Sequence, residues 1–235
     1  KKLDWDTEVA YLILIICVPL GIVFARVYYI IFSNWSYYQT FVDVINIRAG
    51  GMAIYGGIIG GALGLVIVSR IKKVGFFVLA DVVVMCVLLA QGIGRWGNFV
   101  NKEAYGSEVA KHVPPFTVDI YGVPHLATYL YESILNFIGF GVLLYLFFYL
   151  RKRNQFSWGM ISGLYLVWYG VSRAIIEPMR ADSLLIFGHT NRIIFNRVSF
   201  MLSIALIAVG VLIFTASRKK WTSQTTPPVA TKTDT

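Results

Sequence analysis

Residues 76–99 read FFVLADVVVMCVLLAQGIGRWGNF, a run in which Asp81 and Arg95 are the formally charged residues. A helix needs ~20 apolar residues to cross the hydrocarbon core of a bilayer, so this run reads as a membrane span. Working outward from it, five more stretches have the same character: 9–31, 51–69, 129–150, 158–176 and 198–217. None carries the layout of a cleavable signal peptide. The pattern predicts an all-α polytopic membrane protein with six transmembrane helices.

Composition points the same way. Of 235 residues, 57% are hydrophobic and 14% charged, and mean hydropathy is +0.67. A globular domain carries roughly 25% charged residues to cover its surface. A soluble domain, a disordered chain and a disulfide scaffold are thereby excluded. The net charge of +9 comes largely from short runs at the edges of apolar stretches: Arg70-Ile71-Lys72-Lys73, Arg151-Lys152-Arg153 and Arg218-Lys219-Lys220. Basic residues placed so fix membrane orientation; the pattern does not fit nucleic-acid binding. Cys17 and Cys86 sit inside apolar runs with no Cys or His at ligand spacing, which reads as packing rather than a disulfide or zinc site.

The basic runs follow the second, fourth and sixth spans, and Lys1 and Lys2 precede the first. By the positive-inside rule this side is cytoplasmic. The opposite side holds segments 33–50, 101–128 and 177–197. The middle one, with Pro114, Pro115 and Pro124, is expected to form a small extracytoplasmic cap. The reading is thus a transmembrane catalytic domain over 1–217, with the insert at 101–128, and a Thr- and Pro-rich cytoplasmic tail at 218–235 expected to be disordered.

Ionisable groups inside a bilayer are costly and usually mark function. Arg26, Arg95 and Arg173 fall near the outer ends of the first, third and fifth spans. Glu177 follows Arg173 at i+4 and Asn98 follows Arg95 at i+3, each pair on one helical face. Tyr55 lies one turn inside the outer end of the second span. A random scatter would have divided such groups between the leaflets. Gly56, Gly60 and Gly64 recur every four residues, with Gly57 and Gly61 on the adjacent face, a pattern that lets helices approach closely. Gly50-Gly51 permits a loop whose N–H groups reach an anion. The densest chemistry is GRWGNFVNKEAYG at 94–106. Its arginine offers a planar fork for phosphate oxygens, and Asn98 and Asn101 can hydrogen-bond hydroxyls or hold the loop.

That segment resembles the signature of the prolipoprotein diacylglyceryl transferases, carried here by Gly94, Arg95, Gly97, Asn98, Phe99, Asn101, Glu103 and Gly106. Further matching positions are Ala25-Arg26-Val27-Tyr28-Tyr29, Gly50 to Gly57, Leu130-Tyr131-Glu132, Tyr169 to Arg173 through Glu177, and Arg180 to Ser183. The family usually has seven membrane helices, so the resemblance implies that this chain begins just after the first; that helix's Arg-Trp-Tyr-Gly element has no counterpart here. Many members carry histidine where Tyr55 stands, and the segment before Tyr131 lacks the usual Pro and Gln.

The resemblance implies transfer of diacylglyceryl from phosphatidylglycerol to the lipobox cysteine of a prolipoprotein, in the bacterial cytoplasmic membrane and near its outer leaflet. Arg95, Arg173, Glu177 and Tyr55 are the expected catalytic residues. Arg95, Asn98, Asn101, Glu103, Gly106, Arg26 and Glu132 are the expected substrate-binding ones. Arg95 and Arg173 would clamp the phosphate, while Glu103 and Glu177 would either fix those guanidiniums or accept the thiol proton. Tyr55 would bond the phosphate or the thiol; tyrosine holds its proton too tightly at neutral pH to be favoured as the base. The expected partners are phosphatidylglycerol, the prolipoprotein signal peptide and the bilayer. No cofactor or metal is expected: His112, His125 and His189 lie singly in loops. The competing reading is a transporter for an anionic solute, which would predict internal repeats and interrupted mid-membrane helices.

Overall fold

A computed structural model describes residues 7–33, 38, 40–48, 50–181 and 198–225. The chain divides into two compact units, Lys1–Leu79 and Ala80–Thr235.

In the first unit α1 (Thr7–Phe32) packs on α3 (Ile54–Ile71), with the short α2 (Phe41–Ile45) between them in sequence. Glycine sets the approach of the two long helices. A Cβ on Gly56, Gly60 or Gly64 would fall closer than 3.0 Å to the backbone of Phe24, Leu20 or Cys17, respectively. The neighbouring stripe does not do this work. A Cβ on Gly57 would make ordinary contact with Gly21, and one on Gly61 would meet nothing within 4 Å. Helix α2 opens on a reciprocal cap: Asp43 N donates to Thr40 Oγ1 at 3.3 Å and Thr40 N to Asp43 Oδ2 at 2.9 Å.

The second unit contains α4 (Phe76–Asn101, its first turn belonging to the first unit), strands β1 (Thr117–Ile120) and β2 (Val123–Leu126), then α5 (Thr128–Lys152), α6 (Met160–Ile176) and α7 (Val198–Thr225). Met85 and Leu88 of α4, Leu143 and Phe147 of α5 and Ile161 of α6 form its apolar core. Beside that core Asp81 is fully buried. Its carboxylate accepts from Gly159 N at 2.8 Å, Ser162 N at 2.7 Å and Ser162 Oγ at 2.6 Å. The first N–H groups of a helix have no partner within it, and the helix dipole favours an anion there. Asp81 therefore caps α6 across the packing interface.

Among the described residues, five helices are long and apolar enough to cross a membrane: Thr7–Phe32, Ile54–Ile71, Phe76–Asn101, Thr128–Lys152 and Ser199–Lys219. The remaining expected span, 158–176, gives a helix shorter than these five. That stretch forms α6, with 17 residues, or about 25 Å at 1.5 Å per residue against the roughly 30 Å hydrocarbon core. It starts at Met160 because Gly159 adopts a left-handed φ of 102°. The all-α expectation also misses a β element within 101–128. β1 and β2 form an antiparallel hairpin that turns at Tyr121 and Gly122, both with positive φ. The far side of β2 bonds 106–109: Gly106 N donates to Leu126 O at 2.9 Å and Val109 N to Pro124 O at 2.9 Å. At the other end of the chain α7 runs on to Thr225, past 218 where a tail is expected; 226–235 lie outside the described residues. Cys86, read as buried, is exposed on α4.

Candidate active site

Glu132 organises the second unit's polar cluster. It stands in the second turn of α5 and is buried at 8% exposure. Its carboxylate meets Arg95 Nη2 from α4 at 2.5 Å, Arg173 Nη1 from α6 at 3.7 Å and Arg180 Nη1 at 3.2 Å. Glu177, wholly buried, pairs with Arg173 Nη2 at 3.0 Å along the helix face expected from their i,i+4 spacing. Arg173 Nη2 also donates to Ser199 Oγ at 3.1 Å, at the start of α7. Three guanidiniums from separate parts of the chain thus gather round two carboxylates.

The residues after Arg95 shape the exit from α4. Lys102 N donates to Phe99 O at 3.3 Å and Glu103 N to Asn98 O at 3.0 Å, with Lys102 left-handed at φ 52°. This pair of bonds is the Schellman ending of a helix, here with lysine where glycine is commonest. Asn101 Nδ2 donates to Glu103 Oε1 at 3.1 Å, and both side chains are exposed. Glu103 was expected to fix the guanidiniums or accept the thiol proton; the carboxylate that bridges Arg95 and Arg173 is Glu132. Asn98 is half-buried on the same helix. Gly106 is buried, and a Cβ there would lie 2.7 Å from both Leu126 Cβ and Met179 O. It forms a bridge with Arg180, which ties it to the arginine cluster.

Arg180 sits just after the 3₁₀ turn Glu177–Met179 that extends α6. Ser107 N donates to Met179 O at 2.8 Å, tying this turn to the loop beyond α4. Behind Arg95, the Trp96 indole donates to Ser133 Oγ at 3.2 Å and packs edge-on to Tyr129 at 5.6 Å. His112 bonds Thr117 Oγ1 at 3.0 Å, and His125 lies edge-on to Tyr105 at 4.6 Å. Asp182, Ser183, His189, Arg192 and Arg197 lie outside the described residues.

In the first unit Arg26 is 9% exposed. Its Nε donates to Val44 O at 2.8 Å, Nη1 to Gly50 O at 2.8 Å and Gly51 O at 2.9 Å, and Nη2 to Asp43 O at 2.6 Å. The sequence placed Arg26 among substrate contacts; the structure uses it to fasten the loop between α2 and α3. Gly50 and Gly51 have positive φ, as a tight loop requires, but it is their carbonyls that are engaged, by Arg26. A Cβ on Gly51 would fall 2.6 Å from Arg26 Nη1. Tyr55 stands in the first turn of α3, exposed, with its ring 6.2 Å from that of Tyr28.

The sequence pattern of the family described as prolipoprotein diacylglyceryl transferase matches residues 1–216. The chain belongs to that family. It is similar to a protein of Listeria innocua serovar 6a named phosphatidylglycerol–prolipoprotein diacylglyceryl transferase, with 40% identity over 91% of this chain and 77% of the relative. A protein of the same name from Bacillus cereus strain B4264 is 41% identical over 88% of this chain and 76% of its own length. The chain is thus a member of an enzyme family, with helices suited to a multi-pass bacterial membrane protein. Arg95 and Arg173 are planar cationic donors of the kind that suits phosphate oxygens.

Proposed function

We propose that this chain transfers the diacylglyceryl group of phosphatidylglycerol to the lipobox cysteine of a prolipoprotein. The cysteine sulfur forms a C–S bond to a glycerol carbon, the C–O bond to phosphate breaks, and glycerol phosphate leaves with the electron pair. The thiol proton is lost as the thioether forms and is balanced by protonation of the released phosphate monoester. Negative charge grows on the departing phosphate ester, so preorganised cations placed there lower the barrier. The convergence of Arg95 and Arg173 on Glu132 carries this reading.

Arg95 and Arg173 clamp the phosphate, and Glu132 and Glu177 hold the two guanidiniums apart and aimed. Asn98 and Asn101 orient the glycerol headgroup, with Glu103 steadying Asn101. Gly106 keeps Arg180 at the cluster. Positive charge also favours ionisation of the incoming thiol, whose free pKa is ~8.5. Tyr55 bonds the phosphate or the thiol from α3, and Arg26 shapes the loop that leads into that helix. In the bilayer the basic runs face the cytoplasm and the cluster faces the outer leaflet, as part of a membrane domain over 1–217 capped by 101–128. Helix α6, with the 3₁₀ turn that extends it, makes the sixth crossing.

The relatives support transfer rather than transport of an anionic solute. The test is direct. Membranes containing the protein are incubated with phosphatidylglycerol and a lipobox peptide, and the cysteine gains the mass of a diacylglyceryl group. An unmodified peptide in the presence of folded protein sinks the reading.

A further inference from the structure

The hairpin between α4 and α5 turns on a residue that its loop does not favour. Tyr121 and Gly122 form the two-residue connection between β1 and β2, with φ of 54° and 87°. Positive φ at both positions is the reason Asn-Gly, Asp-Gly or Gly-Gly is usual in such a loop. A bulky side chain in that conformation is costly. The turn itself closes without the ring, because Gly122 N donates to Asp119 Oδ1 at 2.8 Å. The Tyr121 side chain is 86% exposed. A ring kept at a strained and exposed tip points to a contact outside the fold.

Two helix ends set the height of that tip. Lys102 directly follows Asn101, the last residue of α4, and its ammonium lies 5.4 Å from the Tyr121 ring centroid. At the base of the hairpin, Ala127 N donates to Phe116 O at 3.0 Å. Thr128, the first residue of α5, donates through Oγ1 to Ala104 O at 2.9 Å. Both helices are long and apolar enough to cross a membrane. Tip and base are thus tied to residues that flank spans, which holds the hairpin low across their ends. Val100, two residues before Lys102, is exposed, as a lipid-facing residue of α4 would be. A tyrosine ring beside an ammonium at this level has the chemistry of the headgroup boundary, where amphipathic rings gather and lysines reach for phosphate.

We infer that the hairpin tip rests in the bilayer surface where α4 ends, with the Tyr121 ring among lipid headgroups and Lys102 beside it. A protein partner is the weaker fit. A stable protein contact takes about 800 Å² from each side, and Gly122 and the engaged Asp119 add no apolar area to the one ring. The anchor steadies the connection after α4, in which Gly106 bridges Arg180. This inference rests on α4 and α5 crossing the membrane, not on the transfer reaction.

The test puts the photoreactive residue p-benzoylphenylalanine in place of Tyr121, in the full chain, in vesicles of phosphatidylglycerol and phosphatidylcholine. Illumination followed by mass spectrometry reads what the ring touches. The expected product is protein plus one phospholipid, formed equally with and without a lipobox peptide. The same photophore in place of Lys111, exposed on the connection before β1, is expected to give no adduct. Cross-linking to the peptide in preference to lipid overturns the inference in favour of a protein contact. Absence of an adduct at 121 overturns it too, because the tip then stands in water. So do equal lipid yields at 121 and 111, because contact is then not particular to the tip. Transfer is assayed on the same vesicles: a lipid adduct without transfer counts against the reaction alone, and transfer without the adduct against the anchor alone.

Discussion

Arg26 and Arg173 are both arginines of apolar helices, and the protein satisfies them in different ways. Arg26 donates to four backbone carbonyls. Arg173, with Arg95 and Arg180, faces the side-chain carboxylates of Glu132 and Glu177. A carbonyl lattice is part of the chain's own course, so its arginine is a rivet for the loop that supplies it. A carboxylate is a counter-ion on a side chain, and an arriving phosphate can compete with it for the same fork. Among the described residues of the cluster, three guanidiniums face two carboxylates.

That contrast can be broken most sharply at the carboxylate-paired arginines. Arg95→Ala or Arg173→Ala should lower thioether formation by at least about 10²-fold, the scale of losing one charge-stabilising donor, while the protein stays in the membrane. Full turnover by either variant ends the clamp. Next comes Arg26→Lys, which keeps the charge and loses the fork. It should destabilise the first unit by about 1.5–3 kcal/mol, read as a lower thermal midpoint, with transfer per folded molecule within a few-fold of wild type. A folded but inactive Arg26→Lys protein would erase the difference between the two kinds of arginine.

The glycine stripes sharpen the same division between support and chemistry. Gly60→Val must push α1 and α3 apart, at a cost of about 1–3 kcal/mol. Gly61→Val, one position on, meets open space and should change stability by under about 0.5 kcal/mol. Parallel melting curves of the two variants decide it. The smallest effect belongs to Lys102→Gly. Lysine there is left-handed at φ 52°, so glycine should stabilise the end of α4 by about 0.5–1 kcal/mol, visible as a small rise in melting temperature.

What could be read in advance follows from how local the cause is. Apolar runs became helices, because length and hydropathy act within each segment. The Arg173–Glu177 pair was legible from a four-residue spacing. Glu132 was legible as part of a family match, but its role as the meeting point of Arg95, Arg173 and Arg180 was not. Those partners lie 37, 41 and 48 residues away, and packing alone joins them. Asp81 stood out as a lone acid in an apolar run for the same reason; the N–H groups it caps lie 78 and 81 residues on. The choice between glycine stripes depended on which face α1 meets, and a four-residue periodicity does not encode a neighbour. The hairpin was hidden by Pro124, which argues against a strand unless the missing N–H faces away from the ladder.

Asp81 fixes more than the first turn of α6. From Ser162, where its carboxylate grips the helix, to Arg173 the chain climbs 11 residues, roughly 16 Å. The helix is a ruler with its zero mark pinned at Ser162, and Arg173 is the graduation read 11 residues on. Adding a single residue between them would advance the reading by only about 1.5 Å yet swing it through about 100°, carrying the guanidinium off its bearing toward Glu132.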